Sequence, residues 1–68
     1  MENIKDFKIG KKVRWFYQVS RWSKPIDETV YIGSEIIGGN SVRIDRKNKN
    51  GDIVEGGYVN INELYESN

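Results

Sequence analysis

The sequence contains no cysteine and no histidine, and it has one proline among 68 residues. The lack of cysteine excludes disulfide bonds and thiolate zinc sites, and the lack of histidine removes the commonest general base. We therefore expect no bound metal, no cofactor and no enzymatic activity. A chain of this length buries about 60% of its unfolded surface, so we expect a single domain over residues 1–68 with a small, uncrosslinked core.

Long apolar runs are also missing from the sequence. No stretch approaches the roughly 20 apolar residues that cross a membrane, and the first twelve residues lack the apolar segment of a signal peptide. The absence of cysteine is typical of proteins from a reducing compartment. We therefore predict a cytoplasmic protein that does not bind membranes.

Charge is unevenly distributed along the chain, although the net charge is +1. Residues 1–24 contain seven basic and two acidic side chains, whereas residues 25–68 contain four basic and eight acidic ones. We expect a surface of mixed charge, since a barrel brings distant segments together, and the alternative is a basic patch formed by the N-terminal third.

Apolar residues alternate with polar ones along most of the chain, and this period of two predicts β-strands. The first predicted strand begins at Val13 and turns Trp15, Tyr17 and Val19 toward the core. The second covers residues 29–37, with Val30, Ile32, Ser34 and Ile36 on one face. The remaining predicted strands cover residues 41–45 and 53–59, and residues 60–66 form a 3₁₀ turn and a short closing strand.

Gly, Asn and Pro predict the connections between these strands. The pair Asn50-Gly51 predicts a hairpin turn, residues 38–40 (GGN) predict a tight turn, and Pro25 indicates a structured loop over residues 20–28. We place Asp45 and its acidic neighbours at a solvated hairpin. In the fourth strand, a bulge at residues 56–57 would turn both Val54 and Val59 inward.

The order of the predicted elements resembles that of the SH3-like small barrels, including the KOW and Tudor types. The likeness lies in FKIGKKVRW (7–15), GSEIIGGNSVRI (33–44) and YVNINEL (58–64). The resemblance implies an all-β fold, a small closed five-stranded SH3-like barrel with a 3₁₀ turn before the last strand. It transfers no binding residue of that family to this chain.

The stretch RWFYQVSRW (14–22) contains four of the eight aromatic residues. By alternation, Trp15 and Tyr17 belong to the core, Phe16 points to the opposite side, and Trp22 lies in a loop. The predicted binding surface consists of Arg14, Phe16, Arg21, Trp22 and Lys24, and its predicted extension consists of Lys11, Lys12, Arg46, Lys47 and Lys49.

Tryptophan and arginine dominate the hot spots of protein interfaces, so these residues predict a non-catalytic binding module. A free-standing barrel rich in Asn, Lys and Ile resembles accessory proteins of phages and other mobile elements. This likeness implies that the protein binds and inhibits a host protein or complex. One alternative is DNA or RNA binding through the basic and aromatic surface. A second is a homodimer formed through the exposed aromatic residues.

Overall fold

The computed structural model describes residues 2–67, which form one antiparallel sheet of five strands and a short 3₁₀ helix. The elements in chain order are β1 (Lys12–Tyr17), β2 (Ile26–Ile32), β3 (Ser41–Lys47), β4 (Ile53–Asn60), the 3₁₀ helix η1 (Ile61–Glu63) and β5 (Leu64–Glu66). The all-β class, the five strands and the 3₁₀ turn before the last strand are confirmed. No helix within residues 2–67 is long and apolar enough to cross a membrane.

The sheet is curled, because its two edge strands are consecutive in the chain. The strand order is β4-β3-β2-β1-β5, so four strand spacings separate β4 from β5, about 19 Å in a flat sheet. The three residues of η1 rise by about 6 Å, which cannot bridge a flat sheet. The sheet therefore bends around its core like a small barrel, although no ladder between β4 and β5 closes it within the described residues.

The core lies inside this curl and is built from cross-strand aliphatic pairs. Val13 lies opposite Val30, and Ile32 lies opposite Ile44. The alternation in the sequence produces this arrangement, since every second side chain of each strand points to the same face. The buried apolar residues are Ile4, Val13, Val30, Ile32, Val42, Ile44, Val59 and Leu64.

The end of β1 differs from the prediction. β1 stops at Tyr17, so Val19 falls in the following loop, where it is 73% exposed. The assignment of Val19 to the core is therefore wrong. Trp15 packs against the core but is half-buried, and the half-buried Tyr17 stacks on it.

β2 is displaced toward the N-terminus relative to the predicted strand at 29–37. It starts at Ile26 and ends at Ile32, and the chain leaves the sheet at Gly33. Ile36 is exposed whereas Val30 and Ile32 are buried, so the prediction that Ile36 shares their face is wrong. The predicted turn at 38–40 is present, with Gly38 and Gly39 at φ values of 64° and 82° that glycine adopts without strain.

β4 contains a bulge, but not at its two glycines. Its register with β3 is regular from Asn60 to Glu55 and shifts where Lys47 pairs with Ile53, which leaves Val54 unpaired. Val54 is exposed, whereas Val59 is buried. The predicted bulge at residues 56–57 and the inward direction of Val54 are therefore wrong.

Asp45 is not part of a solvated hairpin. It lies within β3 and is 8% exposed, on the outer face of the sheet. Its carboxylate is held by Arg43, whose Nε donates to Asp45 Oδ1 over 3.2 Å. The hairpin tip begins after Lys47, and Gly51 takes the positive φ of 85° that the Asn50-Gly51 pair predicted.

Candidate binding surface

Trp22 projects from a turn that is held together by its own serine residues. The backbone N–H of Ser23 donates to Ser20 O over 3.2 Å, and the Ser23 hydroxyl donates to the same carbonyl over 3.0 Å. In return, the N–H of Ser20 donates to Ser23 Oγ and the N–H of Trp22 donates to Ser20 Oγ. We name residues 20–23 the Trp22 turn. Its local hydrogen bonds order the backbone from which the tryptophan projects.

The Trp22 side chain itself is 89% exposed. No aromatic or cation–π pair within residues 2–67 includes it. The adjacent Gln18 donates its side-chain amide to Ser23 O, which ties the turn to the end of β1. The structure therefore places Trp22 in solvent.

Two cations flank Trp22 in the loop. Arg21 and Lys24 are both exposed, and no ion pair among the described residues involves either side chain. Val19 adds a second exposed apolar side chain to the same loop. The loop therefore presents an apolar tip with two free positive charges beside it.

Arg14 and Phe16 form a separate group on the outer face of β1. Arg14 donates from Nε to Asp27 Oδ1 over 3.2 Å and from a terminal nitrogen to the other carboxylate oxygen. These hydrogen bonds, together with the charge of Asp27, raise the pKa of the Arg14 guanidinium above its ordinary value. Phe16 meets Tyr65 edge to face, with 6.3 Å between the ring centroids. The five predicted surface residues thus lie in two groups, one on the sheet and one in the loop.

The predicted basic extension does not form one continuous patch. Lys11 pairs with Glu66 at 3.0 Å, and Lys47 lies over the Tyr31 ring at 4.1 Å from its centroid. Lys12 and Lys49 are exposed and form no ion pair within residues 2–67. A carboxylate therefore already pairs with Lys11, and an aromatic ring of the same chain lies beside Lys47.

Arg46, the remaining extension residue, is the centre of a cluster that the sequence did not reveal. Its guanidinium pairs with Glu28 at 2.6 Å and with Glu55 at 3.0 Å, and it lies 5.2 Å from the Trp15 ring centroid. The hydrogen bond with Glu28 raises the pKa of the Arg46 guanidinium above its ordinary value. Trp15 Nε1 in turn donates to Glu63 Oε1 over 3.3 Å. These residues lie far apart in the chain, so no local signal predicts the cluster.

The apolar side chains on β4 are a second feature that the sequence analysis missed. Ile53, Val54 and Tyr58 are all exposed on this edge strand. The sequence contained one signal of this feature. In a regular strand Val54 and Tyr58 fall on one face and Ile53 and Val59 on the other, so apolar residues lie on both faces. That pattern reflects the bulge at Val54 and the solvent exposure of the edge.

The described residues contain no group of three or more acidic, histidine or cysteine side chains arranged to hold a metal ion. Comparison of the chain with models of protein families, with curated proteins and with solved structures gave no significant match. The comparisons give no support for the finer assignment to the SH3-like barrels, and the structure shows a small all-β fold with five antiparallel strands.

Proposed function

We propose that this protein is a non-catalytic binding module that inserts Trp22 into an apolar pocket on a partner protein. The observation that carries this proposal is the 89% exposure of a tryptophan on a turn fixed by serine hydrogen bonds. Exposing a large apolar ring to water is unfavourable for an isolated protein, because the ring loses the free energy of burial. That free energy is recovered when a partner covers the ring.

The rigidity of the Trp22 turn supports binding through this residue. A loop whose backbone is already ordered by hydrogen bonds loses less conformational entropy on association than a flexible loop. Val19 widens the apolar contact, and Arg21 and Lys24 add charge around its rim. An apolar centre with a charged rim is the usual anatomy of a protein interface.

The charge distribution favours a protein over a nucleic acid as the partner. Three of the predicted basic contacts, Lys11, Arg14 and Arg46, are held by carboxylates of this chain. Nucleic-acid affinity depends on cations that are free to replace the counterions of phosphates. The alternative of DNA or RNA binding retains support from Arg21 and Lys24, which flank a ring on which a base can stack.

The same resemblance that suggested a mobile-element protein leads us to propose that the partner is a host protein or complex and that binding inhibits it. Small accessory proteins act on larger assemblies by occupying a surface, and a projecting tryptophan suits that role. We further propose that the protein acts in the cytoplasm. These statements rest on the composition and on the likeness to small barrels.

The test begins with capture of the partner from a host lysate and continues with titration of the purified partner. We expect Trp22→Ala to weaken the affinity about 30-fold or more, because a hot-spot residue contributes about 2 kcal/mol or more. The stability of this variant should match that of the wild type, since Trp22 packs against nothing in the free protein.

Tyr58→Ala is the matched control, because it removes another exposed aromatic ring from a different surface. It should leave the affinity for the partner unchanged. Equal affinities of the wild type and Trp22→Ala would refute the proposal. A large loss in the Tyr58 variant alone would move the partner site to β4.

A further inference from the structure

The two edges of the sheet differ in how their backbone groups are covered. At β5, Ile4 donates its backbone N–H to Leu64 O over 3.4 Å, and Glu66 donates its own to Glu2 O over 2.8 Å. The Asn3 side chain also donates to Leu64 O, over 3.0 Å. No comparable segment within residues 2–67 pairs with the open side of β4.

The hydrogen bonds of β3 reveal which residues of β4 face outward. Ser41 exchanges backbone hydrogen bonds with Ile37, and Arg43 O accepts the N–H of Gly33 over 2.7 Å. These two β3 residues therefore direct their backbone groups away from β4. In an antiparallel pair such residues alternate with those that bond to the neighbouring strand.

The register places Gly57 and Val59 opposite the β3 residues that bond to β4. Their neighbours in the alternation, Gly56 and Tyr58, consequently point their N–H and C=O groups to the open side. An edge of this kind is a template on which another strand can pair.

β4 lacks most of the features that protect an edge strand, and its one bulge lies near its start, at Val54. Its eight residues include no lysine and no proline, and its single charged residue, Glu55, is held by Arg46 at 3.0 Å. Three exposed apolar side chains lie along it: Ile53, Val54 and Tyr58. The other edge strand, β5, is short and covered. One sheet therefore has a protected edge and an open edge.

We propose that β4 pairs in antiparallel fashion with β4 of a second copy, about a two-fold axis at Gly56. In this register Gly56 lies opposite its own counterpart, and Val54 lies opposite Tyr58 of the second copy. The outward-facing backbone groups of Gly56 then bond to those of its counterpart, and those of Tyr58 face the other strand as well. The two halves of the contact are identical, as a two-fold interface requires.

The charges favour a second copy as the occupant. In this register Glu55 lies opposite Gly57 of the second copy, so the two glutamates do not face each other. The net charge of +1 per chain causes little repulsion between copies. The sequence analysis placed a homodimer contact at the aromatic residues of 14–22, whereas the open edge places it at β4, away from the Trp22 turn.

Sedimentation of the wild-type protein at about 10 µM and about 500 µM tests the proposal, because the population of a dimer depends on protomer concentration. We expect the weight-average mass to rise toward twice the monomer mass. A monomer at both concentrations would overturn the proposal, and it would leave the role of Trp22 untouched. Trp22→Ala should dimerise as the wild type does.

Two lysine substitutions at exposed valines provide the matched comparison. Val54→Lys introduces a charge of the kind that protects natural edge strands, and it should keep the protein monomeric at both concentrations. Val19→Lys introduces the same charge in the loop and should leave dimerisation unchanged. The two valines are 62% and 73% exposed, so neither substitution disturbs the core. Loss of the dimer in the Val19 variant alone would contradict the β4 interface.

Amide hydrogen exchange of the wild type gives a second readout that does not depend on any variant. The amides of Gly56 and Tyr58 should exchange more slowly at high than at low protein concentration. Those of Gly57 and Val59, which bond to β3 in the monomer, should show no such additional protection. Equal concentration dependence at all four positions would exclude pairing along this edge.

Discussion

At the scale of single residues, the Asp45 carboxylate and its partner Arg43 leave no room for a side chain at two glycine positions. Its carboxylate lies against Gly33, where an added Cβ would be 2.6 Å from Asp45 Oδ2. At Gly56 an added Cβ would lie 3.0 Å from Arg43 Nη2. The Asp45–Arg43 ion pair thus lies against Gly33 and Gly56, two positions that have no side chain. Gly57, by contrast, has open space where its Cβ would be.

We expect Gly33→Ala to lower the free energy of unfolding by about 1–3 kcal/mol, because the methyl group displaces a buried, ion-paired carboxylate. Gly57→Ala should not lower the free energy of unfolding. It should raise this free energy by about 0.4 kcal/mol or more, because alanine restricts the conformations of the unfolded chain. Urea denaturation of both variants checks this difference. A loss in Gly57→Ala as large as that in Gly33→Ala would contradict the close approach of Asp45.

At the scale of elements, the segment before β1 contributes to the sheet although its sequence has no strand pattern. Ile4 is 5% exposed and packs in the core, and the residues beside it cover the edge of β5. The sequence analysis assigned no core residue before Val13. A single apolar residue in a polar segment forms no periodic pattern, so the sequence does not predict its burial. The structure shows the burial, because it places β5 beside this segment.

Ile4→Ala should lower the free energy of unfolding by about 2–4 kcal/mol, since it removes a buried side chain and leaves a cavity. Ile9→Ala is the control within the same segment, because Ile9 is 61% exposed. Its effect should stay within about 0.5 kcal/mol, as for other exposed positions. Thermal and urea unfolding measure both, and equal stabilities of the two variants would show that Ile4 does not anchor the segment.

At the scale of the whole molecule, folding mixes charges that are separated in the sequence. Lys11 and Arg14 come from the basic N-terminal third, and their partners Glu66 and Asp27 come from the acidic remainder. Beside Trp22, the free cations are Arg21 and Lys24, so a nucleic acid on this loop would contact about two phosphates. Raising the salt fourfold would then lower the affinity about tenfold, whereas six contacts would lower it more than 1,000-fold.

Fluorescence polarisation with labelled single- and double-stranded oligonucleotides at about 50 and 200 mM salt measures this dependence. We expect weak binding at the lower salt and none at the higher. Tight binding that collapses over this range would instead show that many lysines act together, and it would favour the nucleic-acid alternative. Lys24→Ala should reduce whatever binding remains, and Lys8→Ala should not, because Lys8 is exposed near Gly10, which bonds to Ile32 at the opposite end of β2.

The local pattern of the sequence determined the all-β class, the number of strands, the turn residues and the 3₁₀ turn before β5. Alternation and turn chemistry act over a few residues, so they can be read without a structure. The same pattern failed at Val19 and Ile36, because a strand ends where its neighbour stops pairing. The position of the β4 bulge was predicted wrongly for a related reason, because the register depends on both paired strands.

The tertiary structure alone decided which strands form the edges and which charges are paired. It placed Trp22 in solvent, Asp45 beneath Arg43, and Arg46 between two carboxylates. The last of these outcomes depends on residues of three different strands, which meet when the sheet forms. Exposure and ion pairing are properties of the curled sheet, and therefore the structure was needed to show that Trp22 is exposed and that Arg46 is paired.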